Sequence, residues 1–262
     1  MRLGRFGLAA RGLVYLMVGV LAARVAFGLG GRLTDREGAV SAMERLPFGG
    51  AILWAVALGL LGYVAWRFAQ AFMDLDHNGT DRKGLMKRAA ALCSGIAYAG
   101  LSTGSLAAAA GIPGLAVGKG AGSDAAAKDW TAWLMAQPLG RWLVGIAGLV
   151  IAGMAIWQFY QGISCKFTKH LRGGGLNSEQ EEWGRRAGRI GYTARGVAFG
   201  LIAWFIISAA VHSNPQEAGG LTAAFRALAR QAYGPWLLAA VGFGFALFGV
   251  YSMIEARYRR IG

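Results

Sequence analysis

Charged residues are scarce in this sequence, and the acidic ones are the scarcest. Of the 262 residues, 15% are Asp, Glu, Lys or Arg and 55% are hydrophobic, whereas soluble domains carry about 25% charged residues. Thirteen acidic residues stand against 27 basic ones, which gives a formal net charge of +14. So apolar a composition excludes an intrinsically disordered chain and an ordinary soluble domain. It places the protein among integral membrane proteins.

Cysteine, histidine and proline are also few. Cys93 and Cys165 form neither a CxxC pair nor a metal-binding spacing, and the three histidines lie far apart in the sequence. No Ser/His/Asp or Cys/His arrangement indicates catalysis, so we expect no enzymatic activity and no cofactor. With five prolines and no Gly-X-Y period, the 42 glycines do not indicate collagen. They are typical of helices that pack closely in lipid.

Six apolar segments are each long enough to cross the roughly 30 Å hydrocarbon core of a bilayer as a helix. The expected spans are Leu8–Leu29, Gly49–Phe72, Ala89–Gly111, Leu139–Ile163, Ile190–Val211 and Pro235–Ile254. Of the basic residues outside them, fifteen lie at the two termini and in the second and fourth connections, and seven lie in the other three. The positive-inside rule then places both termini in the cytoplasm. The basic rim is expected to contact anionic lipid headgroups, which accounts for the net charge without a nucleic-acid partner.

The chain contains three copies of one two-helix unit. Arg5–Tyr15 is similar to Arg189–Phe199, and Arg88–Tyr98 is a degraded copy in which a serine replaces the second arginine. The second helix begins at Pro47-Phe-Gly in the first copy and at Pro138-Leu-Gly in the second. We expect an all-α integral membrane protein, with six transmembrane helices in one membrane domain. Its three tandem repeats are repeat one (1–74), repeat two (75–165) and repeat three (166–262). All three have the same orientation, because each contains two spans, and closure around a pseudo-threefold axis is expected.

A short amphipathic segment connects the two spans of each repeat. Apolar residues at helical spacing occur at Leu221, Phe225 and Leu228 in repeat three, at Ala126, Trp130 and Trp133 in repeat two, and more weakly at Val40 and Met43 in repeat one. We expect three short helices that lie at the outer membrane interface, with Ser123 or Asp124 as the N-cap of the middle one. Helices that face solvent are the alternative.

These features together resemble a known family, the bacterial integral membrane proteins of domain of unknown function family 1206. The matching motifs are the repeated arginine-glycine start at Ala187–Phe199, the P-[FL]-G starts at Pro47–Gly49 and Pro138–Gly140, the acidic loop Asp74–Asp81 and the basic end Ala256–Arg260. The resemblance covers essentially the whole chain. It implies a multi-pass protein of the bacterial inner (cell) membrane, and it implies no activity, because the family's name assigns none.

Polar side chains lie one or two turns inside the cytoplasmic ends of the spans, whereas the span centres carry no charge. We consider five of them candidates for a polar vestibule on the pseudo-threefold axis that selects anions or small polar solutes. They are Arg11, Arg67, Gln158, Arg195 and Glu255. The alternative is that each arginine extends to the lipid headgroups. We expect Arg11 or Arg195 to bond a polar group of another repeat, with Glu255 and Gln158 as candidate partners. If Arg195 makes that bond, Arg195→Lys should lower thermal stability nearly as much as Arg195→Ala.

The acidic loop after the second span has the spacing of the first half of a calcium loop. Asp74, Asp76, Asn78 and Asp81 are therefore weak candidates for a cation site. Position twelve is Leu85, however, where a calcium loop carries a bidentate glutamate. An Asx-rich turn is the favoured interpretation.

Two functions are compatible with these features. The repeat symmetry and the partial ring of polar residues favour a channel or facilitator for a small solute or anion. The glycine-rich packing faces, the amphipathic segments and the basic rim favour a non-catalytic membrane scaffold or lipid-binding protein instead.

Overall fold

A computed structural model describes residues 2–75, 79–112, 124–165 and 178–258. The elements in these ranges are all helical. The α-helices are α1 (Arg2–Ala26), α2 (Arg36–Met43), α3 (Gly49–Phe72), α4 (Arg82–Ala109), α5 (Asp124–Met135), α6 (Gly140–Ser164), α7 (Ser178–His212), α8 (Leu221–Ala229) and α9 (Gly234–Tyr258). A single 3-10 turn, Pro215–Glu217, precedes α8.

Six of these helices, α1, α3, α4, α6, α7 and α9, are long and apolar enough to cross a membrane. The expected number of long apolar helices and the all-helical class are thereby confirmed. Several expected ends were wrong: α1 begins at Arg2, α4 at Arg82 and α7 at Ser178, each more than a turn before the apolar segment. Hydropathy marks the part of a helix that suits lipid, whereas the backbone hydrogen bonds continue through the polar residues before it.

The second long helix of one repeat packs against the first long helix of another. Helix α3 packs on α4, α6 on α7, and α9 on α1. In each interface a glycine faces a large side chain, so closely that a Cβ atom would lie 3.0 to 3.2 Å from it. The pairs are Gly95 with Phe68, Gly196 with Phe159, and Gly12 with Met253. The three glycines occupy equivalent positions in their repeats, counted from Arg5, Arg88 and Arg189. Their three partners also occupy equivalent positions, counted from Gly49, Gly140 and Gly234.

The contacts within a repeat differ from one repeat to another. Helix α1 packs on α3 and α7 packs on α9, whereas the described residues of α4 and α6 form no comparable interface. In repeats one and three, glycine permits the close approach. A Cβ atom at Gly7 would lie 2.7 Å from the backbone of Tyr63, and one at Gly191 would lie 2.7 Å from that of Phe248.

Repeat two has larger side chains at the corresponding places. Ala90 is equivalent to Gly7 and Gly191. Val150 is equivalent to Gly59 and Gly244, and at each of these two glycines the missing side chain leaves room for an alanine of the neighbouring helix. These larger side chains coincide with the lack of an extensive interface between the described residues of α4 and α6. Ala90, Cys93, Val150 and Met154 are all exposed.

The short helices were expected to lie at the outer membrane interface, and in two of them other helices of the protein cover the apolar face. In α2, Val40 and Met43 are buried against the long helices. In α8, Phe225 is fully buried, and its ring lies edge-on to Phe245 with centroids 5.4 Å apart. Helix α5 fits the expectation better, because Trp130 is largely exposed. The amphipathic pattern identifies an apolar face and leaves open whether lipid or protein covers it.

Asp124 was one of two expected N-caps for α5, and its role is different. It is the first residue of α5, and its carboxylate accepts hydrogen bonds from the backbone N–H groups of Gly220 and Ala223, at 2.9 and 3.0 Å. It therefore caps α8 of repeat three, which has a glycine rather than a capping side chain at its own N-cap. Ser123, the other expected cap, lies outside the described residues.

Candidate functional site

Arg11 of α1 is buried between three helices, with 7% of its surface exposed. Its Nη1 donates to the hydroxyl of Tyr63 on α3 at 3.1 Å. Its Nη2 donates to Ser252 at 3.2 Å and to the carboxylate of Glu255 at 3.4 Å, both on α9. The guanidinium is tolerated in a low-dielectric interior because a carboxylate neutralises it and two hydroxyls accept further N–H groups. This is the expected bond between repeats, with Glu255 as the partner.

Arg67 of α3 shares a partner with Arg11. Its Nε donates to the same Tyr63 hydroxyl at 2.8 Å, and its Nη1 donates to the Oε1 atom of Gln70 at 3.1 Å. Its guanidinium carbon also lies 5.1 Å from the ring centroid of Tyr63, within the range of a cation–π interaction. One phenol oxygen therefore accepts hydrogen bonds from two cations.

Arg195 of α7 occupies the position equivalent to Arg11, yet its surroundings are different. Its guanidinium carbon lies 4.3, 5.1 and 5.5 Å from the ring centroids of Phe248, Tyr15 and Phe199. In the described part of the chain its buried Nε has no hydrogen-bond partner, and no carboxylate pairs with it. The rings attract the cation without neutralising its charge.

A difference of one residue accompanies the contrast. Helix α9, which packs on α1, carries Glu255 opposite Arg11. Helix α6, which packs on α7, carries the neutral Gln161 at the equivalent position. Arg11 thus has a carboxylate partner in the α9–α1 interface. For the equivalent Arg195, the α6–α7 interface has an uncharged amide at the corresponding position.

The fifth predicted residue, Gln158, is not joined to the others. It lies on α6, and among the described residues no hydrogen bond connects it to the three arginines or to Glu255. The structure therefore connects Arg11, Arg67 and Glu255 through direct bonds and Tyr63, and places Arg195 against Phe248, beside them. The vestibule itself stays a prediction.

Sequence reasoning missed the tyrosines that hold this cluster together. The Tyr98 hydroxyl donates to that of Tyr15 at 3.2 Å. The rings of Tyr63 and Tyr98 lie edge-to-face at 4.9 Å, as do those of Tyr15 and Phe248. All four rings are buried. Tyr15 and Tyr98 end the similar segments Arg5–Tyr15 and Arg88–Tyr98, and this recurrence was the signal available in the sequence.

A fourth arginine approaches the tyrosines from the opposite side. Arg36 begins α2, and its guanidinium carbon lies 5.3 Å from the ring centroid of Tyr98. Asp35 before it caps α2, accepting the N–H of Gly38 at 3.0 Å, and its burial raises its pKa above the usual range of an aspartate. Arg36 lies in the connection between the first two expected spans, and nothing in the sequence shows that α2 is inserted between the long helices.

The acidic loop is partly described. Asp74 accepts the backbone N–H of Gly79 at 2.8 Å, and Asp81 caps α4 by accepting that of Gly84 at 3.0 Å. The second bond is an N-cap, and the first joins the two ends of the partly described loop. Asp76 and Asn78 lie outside the described residues, so cation binding by the loop stays a prediction.

Comparison with known proteins shows a family relationship. A family model described as Domain of Unknown Function (DUF1206) matches residues 6–74, 89–164 and 190–259, and so shows three repeats. Uncharacterized protein YxxB of Bacillus subtilis (strain 168) is 32% identical over 260 residues, which cover 99% of this chain and 91% of the Bacillus protein. No solved structure matches the chain.

Proposed function

The chain belongs to the family described as Domain of Unknown Function (DUF1206), and we propose that it is a non-enzymatic facilitator for a small anion in the bacterial inner membrane. The observation that carries the proposal is Arg195, a partly buried guanidinium that no described carboxylate neutralises. A charge within a membrane span is costly, and where it persists it indicates a function.

The charge balance of the site supports an anionic ligand. Three arginines, Arg11, Arg67 and Arg195, lie among the spans near the side on which α1 begins and α9 ends. Glu255 is the single carboxylate that forms a described ion pair with any of them. An anion of one or two charges would complete the neutralisation, and guanidinium groups bind such ions through paired N–H donors.

The arrangement of the helices supports a site on an axis. The interfaces α3–α4, α6–α7 and α9–α1 use equivalent glycine contacts, and the last of them joins repeat three back to repeat one. We propose that the repeats surround a pseudo-threefold axis on this basis. Tyr15, Tyr98 and Phe199 are repeat-equivalent rings near the cluster, and their rotation is the gating movement that the proposal requires.

The proposed orientation places both termini in the cytoplasm, as the distribution of basic residues indicates. Single cysteines at Ser178 and Asn214, introduced after both native cysteines are removed, test it on intact and permeabilised cells. A membrane-impermeant maleimide should label Asn214→Cys in intact cells and Ser178→Cys only after permeabilisation. Labelling of both from the same side contradicts the topology.

Anion flux is the direct test of function. Proteoliposomes loaded with chloride, nitrate or phosphate should release at least one of them faster than protein-free vesicles do. Arg195→Gln should reduce that release roughly tenfold, since it removes a charge-assisted bond to the ion. Arg189→Gln, which removes an exposed arginine from the same helix, is the matched control and should change it little. The absence of release for all three ions, or equal release by Arg195→Gln, contradicts the proposal.

A second candidate is a lipid-binding membrane scaffold. A shallow, open groove lies between the start of α1 and the end of α9, and its lining includes Arg5, Arg257 and Tyr258. Basic pockets between helices near a membrane surface suit anionic headgroups. Phospholipid that remains with the purified protein after extensive detergent washing, without anion flux, would favour this function over the first.

A further inference from the structure

A cleft beside the short helices α5 and α8 joins two repeats. Its walls come from α5 of repeat two and from the α7–α8 connection and α8 of repeat three, and Phe205 of α7 forms part of its lining. Three basic side chains border it, namely Lys128, Arg226 and Arg230. The three connections on this side of the chain carry seven basic residues in all, so nearly half of them lie around one cleft.

The three cations are within side-chain reach of one another. Arg226 and Arg230 are four residues apart at the end of α8, which places them on the same face of the helix. The Nη1 atom of Arg226 lies 3.9 Å from the Oδ2 atom of Asp124 on α5, and Lys128 follows Asp124 by about one helical turn. Like charges at such separations repel, so a negative group between them would stabilise the arrangement.

The two carboxylates in the lining are already engaged. Asp124 accepts the two backbone N–H groups with which it caps α8. The Oε2 atom of Glu217 accepts the hydroxyl of Ser208 at 2.5 Å and lies 2.7 Å from the Nδ1 atom of His212. Both carboxylates therefore hold the α7–α8 connection in place.

Two of the three cations have no such engagement. In the described part of the chain, neither Lys128 nor Arg230 forms an ion pair or a side-chain hydrogen bond. The segment that precedes α5, residues 113–123, contains no acidic residue that could pair with them. Three positive and two negative side chains thus leave the lining with an excess positive charge and with N–H donors that suit an anion.

We propose that this cleft binds a phosphate group through Lys128, Arg226 and Arg230. A phosphate presents oxygen atoms in several directions, so cations from two helices can share it, and a guanidinium binds it through paired N–H donors. Phe205 and Ala227 in the same lining provide an apolar surface for the remainder of a phosphate ester.

The phosphate group has two sources, a phospholipid headgroup or a soluble phosphate. Trp130 and Trp133 of α5 are 61% and 56% exposed, as is typical of residues at the depth of the headgroups. The site is separate from Arg195, which precedes the end of α7 at His212 by about 25 Å of helix. The inference therefore goes beyond the facilitator and does not depend on anion flux.

Phosphorus NMR of the purified protein in a neutral, phosphate-free detergent tests the proposal, with inorganic phosphate as the probe. We expect saturable broadening of the phosphate signal. Lys128→Gln combined with Arg230→Gln should weaken binding by roughly tenfold or more, because two charge-assisted contacts are lost. Arg45→Gln is the matched control, since Arg45 is an exposed arginine on the same side and outside the cleft, and it should change binding little.

A second variant tests the cleft without removing a charge. Ala227→Leu places a larger side chain in the lining and should also weaken phosphate binding, because it fills the space beside the cations. Thermal unfolding of each variant establishes that it is folded before binding is compared. Ala227→Leu keeps the proposal testable if the double variant does not fold.

Nanodiscs distinguish the two sources. If a lipid headgroup occupies the cleft, phosphatidylglycerol nanodiscs should block the binding of inorganic phosphate. Native mass spectrometry should then show phosphatidylglycerol that is retained by the wild-type protein and lost from the Lys128→Gln and Arg230→Gln double variant. If the ligand is soluble, inorganic phosphate should bind equally in phosphatidylglycerol and phosphatidylcholine nanodiscs. Either result supports a phosphate site.

Three results would overturn the inference. The first is the absence of both saturable phosphate broadening and phosphatidylglycerol retention. The second is unchanged binding by the double variant, which places any bound phosphate elsewhere on the protein. The third is equal competition by acetate, which indicates general attraction of anions instead of a phosphate site. Failure of anion flux bears on the facilitator alone and leaves these binding measurements unaffected.

Discussion

Helices α6 and α9 are the second long helices of their repeats, yet only α9 is enclosed by its neighbours. Helix α9 packs on α1 and α7, whereas α6 has an extensive long-helix interface only with α7 among the described residues. The change from Gly244 to Val150 accompanies this difference, as does the change from Gly191 to Ala90 on the partner helix. The small-to-larger changes fall where the two-helix unit lacks an interface, which fits the dependence of helix association in lipid on close packing.

The same comparison applies to the charges. The α9–α1 interface contains the buried pair Arg11–Glu255, whereas the α6–α7 interface has Arg195 and the neutral Gln161. At this level the α9–α1 interface thus contains a described ion pair, and the α6–α7 interface contains none.

The largest effect is expected from breaking the neutralised interface. Glu255→Gln leaves Arg11 buried without a counter-charge and should lower stability by about 3 kcal/mol, as removal of one partner of a buried pair does. The measurement is thermal unfolding of the purified protein in detergent. Gln161→Ala, at the equivalent position of α6, is the control and should cost clearly less. Equal losses for the two variants would show that the interfaces do not differ in this way.

The two equivalent arginines should respond differently to lysine. Arg11→Lys loses the planar fork that reaches Tyr63, Ser252 and Glu255, and it should cost about 2 kcal/mol, nearly as much as Arg11→Ala. Arg195→Lys keeps a cation over the rings and should cost less than half of that. Unfolding temperatures of the three variants provide the comparison. A larger loss for Arg195→Lys than for Arg11→Lys would indicate a hydrogen-bonded role for Arg195.

A smaller effect is expected from glycine substitution in the closed interface. A Cβ atom at Gly249 would lie 2.6 Å from the backbone of Gly12 and Leu16 on α1, so Gly249→Ala should destabilise the protein by about 1–2 kcal/mol through overpacking. At Gly153 of α6 the same atom would meet nothing within 4 Å, and Gly153→Ala should be neutral or slightly stabilising. Thermal unfolding of the two variants measures the difference. A stabilising Gly249→Ala would contradict the packing described for α1 and α9.

The smallest expected effect is a gain. Gln161→Glu places a carboxylate opposite Arg195, as Glu255 stands opposite Arg11, and it should raise stability by about 1 kcal/mol at neutral pH, because the desolvation of the new charge offsets most of the attraction. The unfolding temperature should rise. Gln158→Glu, one turn away, is the matched control. A drop in unfolding temperature for Gln161→Glu would show that Arg195 is already neutralised.

Much of the candidate site was accessible from the sequence. Arg11 and Arg195 were found because an Arg-Gly pair recurs in two repeats, and Glu255 was found because a carboxylate is rare near the end of a span. The link through Tyr63 was missed, since a tyrosine in an apolar helix shows no periodicity that separates a bonded hydroxyl from a packed ring. Arg36 was missed because burial of α2 depends on its neighbours and not on its own residues.

The sequence alone determined the membrane class, the number of long helices and the three repeats, because apolar length and internal similarity are properties of the chain itself. Only the tertiary structure decided which arginine has a carboxylate partner and which repeat lacks an interface between its two long helices. Those outcomes depend on pairs of residues from different helices, such as Arg11 with Glu255, or Gly191 with Phe248. Whether a charge is paired, or the space beside a glycine is occupied by a neighbouring helix, depends on the atoms opposite it. The folded arrangement of the helices brings those atoms there.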